Sequence, residues 1–243
     1  MPFTGQTIVV TGGASGFGLG MVEKFSSKGA NVVIADINTA DGGKIAEDIE
    51  NAQFIHCDVS NSESVSNLFN RLDQVDVLIN NAGLTHDPAP IEDISEEDFD
   101  RVFAVNAKSV FLTSKYVLPK MKAAGKGVIL NIASTAGISP RPNLSWYNAS
   151  KGWMITATKS MAIELAPFSI RVNAINPVAG ETPLLATFMG QDTPENRERF
   201  LSTIPLGRFS TPNDIASAAC FLCSSDADMI TGVAMEVDGG RCI

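Results

Sequence analysis

Residues 7–28 constrain this chain more tightly than any other stretch. Thr7-Ile8-Val9-Val10 is a β-branched apolar run, and Thr11-Gly12-Gly13-Ala14-Ser15-Gly16-Phe17-Gly18 follows it directly. A helical segment then covers about residues 19–28. Glycines let a backbone turn tightly and let a phosphate approach the peptide N–H groups. The helix start behind them offers free N–H donors and a positive dipole end. Glycines also serve ordinary turns, so it is the position between a buried strand and a helix that points to a ligand.

The same alternation continues. Strand-like runs are expected at 31–35, 53–57, 76–79, 127–132, 171–175 and 232–237, with helices at 39–50, 60–71, 95–121 and 147–165 and a last one capped by Thr211 to Asp214. Strand–helix alternation implies a parallel sheet with right-handed crossovers. The expected fold is therefore α/β, a Rossmann-type doubly wound, seven-stranded parallel sheet with helices on both faces. Residues 180–206 interrupt the pattern with prolines, glycines and the apolar Leu184, Leu185, Phe188 and Met189. A long interruption in a compact fold is usually functional, so a substrate lid is expected there. No repeat or linker divides the chain, which reads as a single domain over 1–243.

Composition excludes several classes. With 44% hydrophobic and 19% charged residues, the chain suits a soluble core rather than disorder. No apolar run approaches a membrane span, and residues 1–5 lack the basic flank of a signal peptide, so a cytoplasmic protein is expected. A net charge of −9 argues against nucleic acid or an anionic membrane as partner. Cys220 and Cys223 form a C-x-x-C, but the alanine-rich helical surroundings and the lack of a second ligand pair favour buried thiols over a metal site. No metal is expected.

Chemistry-bearing residues collect at strand ends. Asp36 ends the second strand, where a carboxylate accepts hydrogen bonds from an adenosine ribose and repels a 2′-phosphate. Ile37, Asn38 and Ser15 offer no basic group to offset it, which favours NAD over NADP. Alone, Asp36 reads equally as a helix cap. Asn80-Asn81-Ala82-Gly83 closes the fourth strand with small residues against which a ligand can lie. His56, inside a strand, reads as structural; His86, in a proline-containing loop, is a candidate for the substrate pocket. Asn106 falls within the helix at 95–121, where a solvated face would account for it. Ser134 follows the fifth strand. Tyr147 and Lys151 stand at i and i+4 on a helix, sharing one face. A nearby ammonium favours the phenolate and lowers the tyrosine pKa, although a surface Tyr and a solvated Lys have the same spacing.

Taken together, these motifs resemble the single-domain short-chain dehydrogenase/reductase family over essentially the whole chain. The resemblance implies a catalytic tetrad of Asn106, Ser134, Tyr147 and Lys151. Tyr147 would exchange the alcohol proton, Lys151 would lower its pKa and hold the nicotinamide ribose, Ser134 would orient the substrate oxygen, and Asn106 would hold a water linking Lys151 to solvent. Implied cofactor contacts are Gly12, Ser15, Gly16, Phe17 and Gly18 in the turn, with Asp36 and Ile37 at the ribose. Asp58 and Val59 would meet the adenine, Asn81, Ala82 and Gly83 would follow strand four, and Pro177, Val178, Ala179 and Thr182 would lie near the nicotinamide with Tyr147 and Lys151. Substrate contacts are expected from His86, Ser134, Thr135, Asn143, Leu144, Leu184, Leu185 and Phe188. Val178 departs from the family, which has glycine after the proline; here glycine comes at Gly180, and the loop path is left open.

The function so implied is NAD(H)-dependent hydride transfer between nicotinamide and a secondary alcohol or ketone, a small-molecule substrate. A 3-oxoacyl carrier-protein reductase using NADPH and a non-catalytic dinucleotide sensor are the alternatives. A homotetramer, built as a dimer of dimers, is expected by the same resemblance and suits the apolar helix surface around Trp153, Met154, Ala157, Met161 and Leu165.

Overall fold

The computed structural model describes residues 1–243. Strands β1 (Thr7–Thr11), β2 (Asn31–Asp36), β3 (Ala52–His56), β4 (Val77–Asn80), β5 (Gly127–Ile132), β6 (Ile170–Pro177) and β7 (Ala234–Val237) form one sheet. Their order is β3-β2-β1-β4-β5-β6-β7, and every pairing is parallel. The chain winds outward from β1 to β3, returns beside β1 as β4, and winds outward again. The reversal leaves a crevice beyond the carboxyl ends of β1 and β4, where ligands of open α/β sheets bind.

Successive strand residues point to opposite faces, and the two faces are covered by different helices. Ile8 and Val10 join Met21, Val22 and Phe25 of α1 (Gly16–Ser27) and Ile215 of α9 (Pro212–Cys223). Val9 faces the other way, towards Val65 and Leu68 of α3 (Ser62–Asn70), Met121 of α5 (Ser109–Ala124) and Leu165 of α6 (Ser145–Leu165). The remaining helices are α2 (Thr39–Asp48), α4 (Glu96–Phe103), α7 (Leu184–Met189) and α8 (Pro194–Leu201). Cys220 and Cys223 lie in the first core, and burial pushes the Cys220 thiol up to about 11. No helix is long and apolar enough to cross a membrane.

The expected continuous helix at 95–121 is instead three segments. A π-helical stretch, Ala104–Lys108, separates α4 from α5, and α5 runs on to Ala124 before Gly125 closes it at φ 64°. The π turn adds one residue to the helix and rotates Asn106 inward, so it is fully buried rather than solvated. The interrupted segment 180–206 is also more ordered than its prolines suggest, since it contains α7 and α8. His56 is the exposed last residue of β3 and lies away from the cavity wall.

A polar chain crosses the second face beneath the crevice. The Thr113 hydroxyl is 2.7 Å from Asn80 Oδ1, Asn80 Nδ2 donates to Asn131 Oδ1 at 2.9 Å, and Asn131 Nδ2 donates to Thr158 Oγ1 at 2.9 Å. It ties α5, β4, β5 and α6 together where burial would otherwise leave amides unpaired. Asn131→Ala strands Asn80 Nδ2, while the Thr158 hydroxyl keeps its bond to the Met154 carbonyl, and a buried group left unpaired costs about 1–3 kcal/mol. The expected loss in urea denaturation is of that order; a variant as stable as the parent would show that the chain contributes nothing.

Candidate active site

The crevice is held open by backbone and side-chain interlocks between β1 and the end of β4. Thr11 Oγ1 accepts from the N–H groups of Asn81 and Ala82 at 3.0 and 3.1 Å. Asn81 Nδ2 donates back to the carbonyls of Thr11 and Gly12 at 2.9 and 3.0 Å. Gly12 stands at φ 62°, and a Cβ there would come within 2.9 Å of Ala82 Cα. Gly18 is tighter still: its Cβ would sit 2.0 Å from the Gly12 carbonyl oxygen. Gly18 thus lets α1 pack on the turn and does not itself line the cavity, which corrects its expected contact role.

Asp36 closes the adjoining end. Its Oδ2 accepts from Ala14 N at 3.0 Å and its Oδ1 from Asn38 N at 2.9 Å, which fixes the carboxylate beside the turn. Ile37 beside it is exposed. Asp58 is held similarly, its Oδ1 accepting from the backbone N–H and hydroxyl of Ser60. The first turn of α1 carries no acidic residue, and the side chain of Ser15 makes no capping hydrogen bond, so peptide N–H groups remain available for an anion.

At the other end, β5 delivers Ser134 and α6 delivers Tyr147 and Lys151 to one cavity of about 510 Å³. Lys151 Nζ donates to the Ile132 carbonyl at 2.9 Å and lies 5.9 Å from the centre of the Tyr147 ring. Burial pushes the Lys151 ammonium down to about 8. Burial likewise pushes the Tyr147 phenol up to about 12, against the lowering effects of the Ser134 hydroxyl and the Arg141 charge. The expectation that Lys151 depresses the tyrosine is therefore corrected for this structure: desolvation outweighs charge, and both groups are driven towards their neutral forms.

Asn106 does not reach the cavity wall. Its Oδ1 accepts from Leu84 N at 3.0 Å, and its Nδ2 donates to the Leu84 carbonyl and to Ser150 Oγ at 2.9 and 3.0 Å. The amide is engaged on both sides, so it clamps the strand-four loop onto α6. Gly83 passes between: a Cβ there would lie 3.3 Å from Lys151 Nζ and 3.4 Å from Asn106 Oδ1.

The cavity wall includes the other expected residues of the turn and strand ends, Thr135, and Leu184, Leu185 and Phe188 of the lid. The Phe188 ring meets Tyr147 edge-on at 4.8 Å. Val178 is buried in the lid's own core with Leu185, Met189 and Phe200, and Gly180 closes against Phe17, where a Cβ would be 2.3 Å from the ring. That fixes the loop path the sequence left open.

Three expected substrate contacts lie outside the wall. His86 is buried behind the loop, its Nδ1 2.8 Å from the Asp87 carbonyl. Asn143 takes a left-handed turn, φ 62°, and is exposed. Leu144 packs inward against Ala136, Tyr147 and Phe188. For Asn143 and Leu144, the turn before α6 directs the side chains away from the wall despite their nearness in sequence to Tyr147. Conversely, Arg141 and Phe200 line the cavity without having been expected; the only sequence signal was one arginine in the short Ser134–Tyr147 connection.

A family model described as enoyl-(acyl carrier protein) reductase matches residues 4–241. A 4-formylbenzenesulfonate dehydrogenase of Comamonas testosteroni is 46% identical over 98% of both chains. A cyclopentanol dehydrogenase of a Comamonas species is 36% identical, covering 97% of this chain and 96% of its own. The chain belongs to the short-chain dehydrogenase/reductase family. Like other short-chain dehydrogenases/reductases it is an oxidoreductase. A crystal structure of 3-ketoacyl-(acyl-carrier-protein) reductase from Brucella melitensis, complexed with NADH, superposes with a TM-score of 0.93 at 46% identity, over 99% of each chain.

The residues present fit a dinucleotide of the kind short-chain dehydrogenases/reductases use. The turn is shaped by glycines where a Cβ would collide, peptide N–H groups are free at α1, and Asp36 is oriented by two backbone donors. The buried lysine leaves a measurable trace in stability. Its folded value of about 8 lies below the ordinary 10.5, so between those values the unfolded chain binds the proton more strongly and stability rises with pH. In Lys151→Met that rise, on the order of 3 kcal/mol, is expected to disappear. Urea denaturation from pH 6 to 10 should show the variant's relative advantage largest near pH 7 and closing towards pH 10; parallel curves would refute it.

Proposed function

We propose that the protein is an NAD(H)-dependent dehydrogenase interconverting a small alcohol and its carbonyl compound, with Tyr147 as acid and base. The observation that carries this reading is the meeting of Ser134, Tyr147 and Lys151 in the same cavity as the glycine turn and Asp36. When bound, the dinucleotide supplies the nicotinamide that exchanges the hydride. Gly12, Ser15, Gly16 and Phe17 would hold its pyrophosphate, Asp36 and Ile37 its adenosine ribose, and Asp58 and Val59 its adenine. Asn81, Ala82, Gly83, Lys151, Pro177, Val178, Ala179 and Thr182 would surround the nicotinamide half.

Asp36 supports NAD. A 2′-phosphate would meet a carboxylate already satisfied by two backbone donors, with no cation among Ile37 and Asn38 to offset it. NAD⁺ is expected to bind at least about tenfold tighter than NADP⁺ in a fluorescence titration, with Asp36→Ala narrowing the gap; tighter NADP⁺ binding would overturn the assignment.

For carbonyl reduction, the Tyr147 phenol is protonated at neutral pH and can donate its proton to the substrate oxygen, which Ser134 holds by a hydrogen bond. For oxidation the phenol must first lose that proton, so the burial that favours the acid opposes the base. Lys151 remains mostly cationic at pH 7 and steadies charge near the phenol. The oxidative rate is accordingly expected to climb from pH 7 to 10 while the reductive rate stays level, and Tyr147→Phe should lower kcat about 10²–10⁴-fold with NAD⁺ affinity kept. Steady-state assays in both directions test both points, and a variant retaining full turnover would sink the mechanism.

The substrate reading draws on the relatives, whose names give a formyl group and a cyclic alcohol on compact rings. A second reading, a 3-oxoacyl-thioester reductase, is supported by the Brucella neighbour; turnover of such thioesters would favour it. The assembly we propose is a homotetramer, supported by exposed Phe111 on α5 and by Trp153 and Ile163 on α6, whereas Met154 and Leu165 turn inward.

A further inference from the structure

Arg141 is the cavity's unexplained cation. It lies on the connection into α6, where its carbonyl accepts from Asn148 Nδ2 at 2.7 Å, and its guanidinium carbon sits 4.3 Å from the centre of the Phe200 ring on α8. The side chain forms part of the cavity wall, yet Nη2 is buried with no hydrogen-bond partner. No carboxylate pairs with it: the ion pairs of the molecule involve Arg101, Lys126, Arg171, Arg197 and Arg208. The charge that acts on it most strongly is another cation, Arg241, whose Nη1 donates to Ser139 Oγ at 3.2 Å and whose buried Nε is also unpartnered.

A buried guanidinium without an anion is costly, and such a group calls for an explanation. Burial and Arg241 together push Arg141 down to about 10, so it keeps its charge at neutral pH. A chain of net charge −9 has many carboxylates with which to neutralise it, and none is used. The adjoining wall is apolar, from Leu184, Leu185 and Phe188. Planar, forked N–H donors match a carboxylate or sulfonate, and the aromatic rings beside them suit a compact apolar body between that anion and the reacting carbon.

We propose that Arg141 binds an anionic group of the substrate, a carboxylate or sulfonate carried away from the reacting carbon, and so selects anionic over neutral alcohols and carbonyl compounds. This rests on the dehydrogenase reading of the cavity for the word substrate, while the anion site itself can be tested without turnover. Phe200 belongs to α8, so pairing Arg141 with an anion also anchors the lid helix over the cavity.

The test is calorimetric titration of the whole protein, with and without NADH, using benzenesulfonate and benzoate against benzenesulfonamide and benzamide. Both anions are expected to bind at least about tenfold tighter than their amides, and the tighter of the two identifies the group. Arg141→Gln should remove that preference while leaving NADH affinity and the circular dichroism spectrum unchanged, and Arg141→Lys should restore part of it. Equal affinity for anion and amide in the parent protein, absence of anion binding, or an undiminished preference in Arg141→Gln would each overturn the proposal. Failure to bind NADH would instead overturn the dehydrogenase reading, leaving the anion comparison to be read on its own.

Discussion

The crossing between β1 and β4 is the contact on which the rest depends. Thr11 and Asn81 exchange hydrogen bonds across it, and Gly12 and Gly18 remove the side chains that would prevent the close approach. Because the two halves of the sheet wind away from this point, every later strand end is brought to the same rim. Ser134 after β5 and Pro177 at the end of β6 reach the cavity for that reason rather than through any nearness in sequence. Widening the crossing by one methyl group would displace the floor on which they stand.

Burial then sets the chemistry. Tyr147 and Lys151 are each shifted by desolvation, in opposite directions, so that a phenol and an ammonium approach neutrality together. A free tyrosine and lysine in water titrate close together, near 10 and 10.5; burial drives the two values apart. The lid completes this enclosure, with Phe188 edge-on to the phenol and Phe200 over Arg141. Asn106 serves the same end indirectly: the π turn swings its amide inward to clamp Leu84, which keeps Gly83 slotted beside Lys151.

Periodicity and turn chemistry make most of the architecture legible in the chain itself. All seven strands are found, with ends moved by a residue or two, because β-branched runs between helical segments admit little else. The wall residues at the glycine turn, Asp36, Asp58 and Asn81 to Gly83 were legible too, since a parallel sheet delivers strand ends to one edge. His86, Asn143 and Leu144 were not. Their side-chain directions are set by a left-handed turn and by loop packing, which no local pattern encodes. Arg141 was overlooked because an isolated arginine in a loop ordinarily faces water.

By itself the sequence determined the winding of the sheet, the glycine turn and the residue types delivered to the rim, since these follow from strand and helix periods and from short-range sterics. Only the tertiary structure decided what environment each group meets. Desolvation, the inward turn of Asn106 and the unpaired guanidinium of Arg141 arise from segments far apart in the chain closing around one volume. A pKa or a missing partner is a property of that enclosure, and it exists only once the lid, the loop and the sheet edge are packed together.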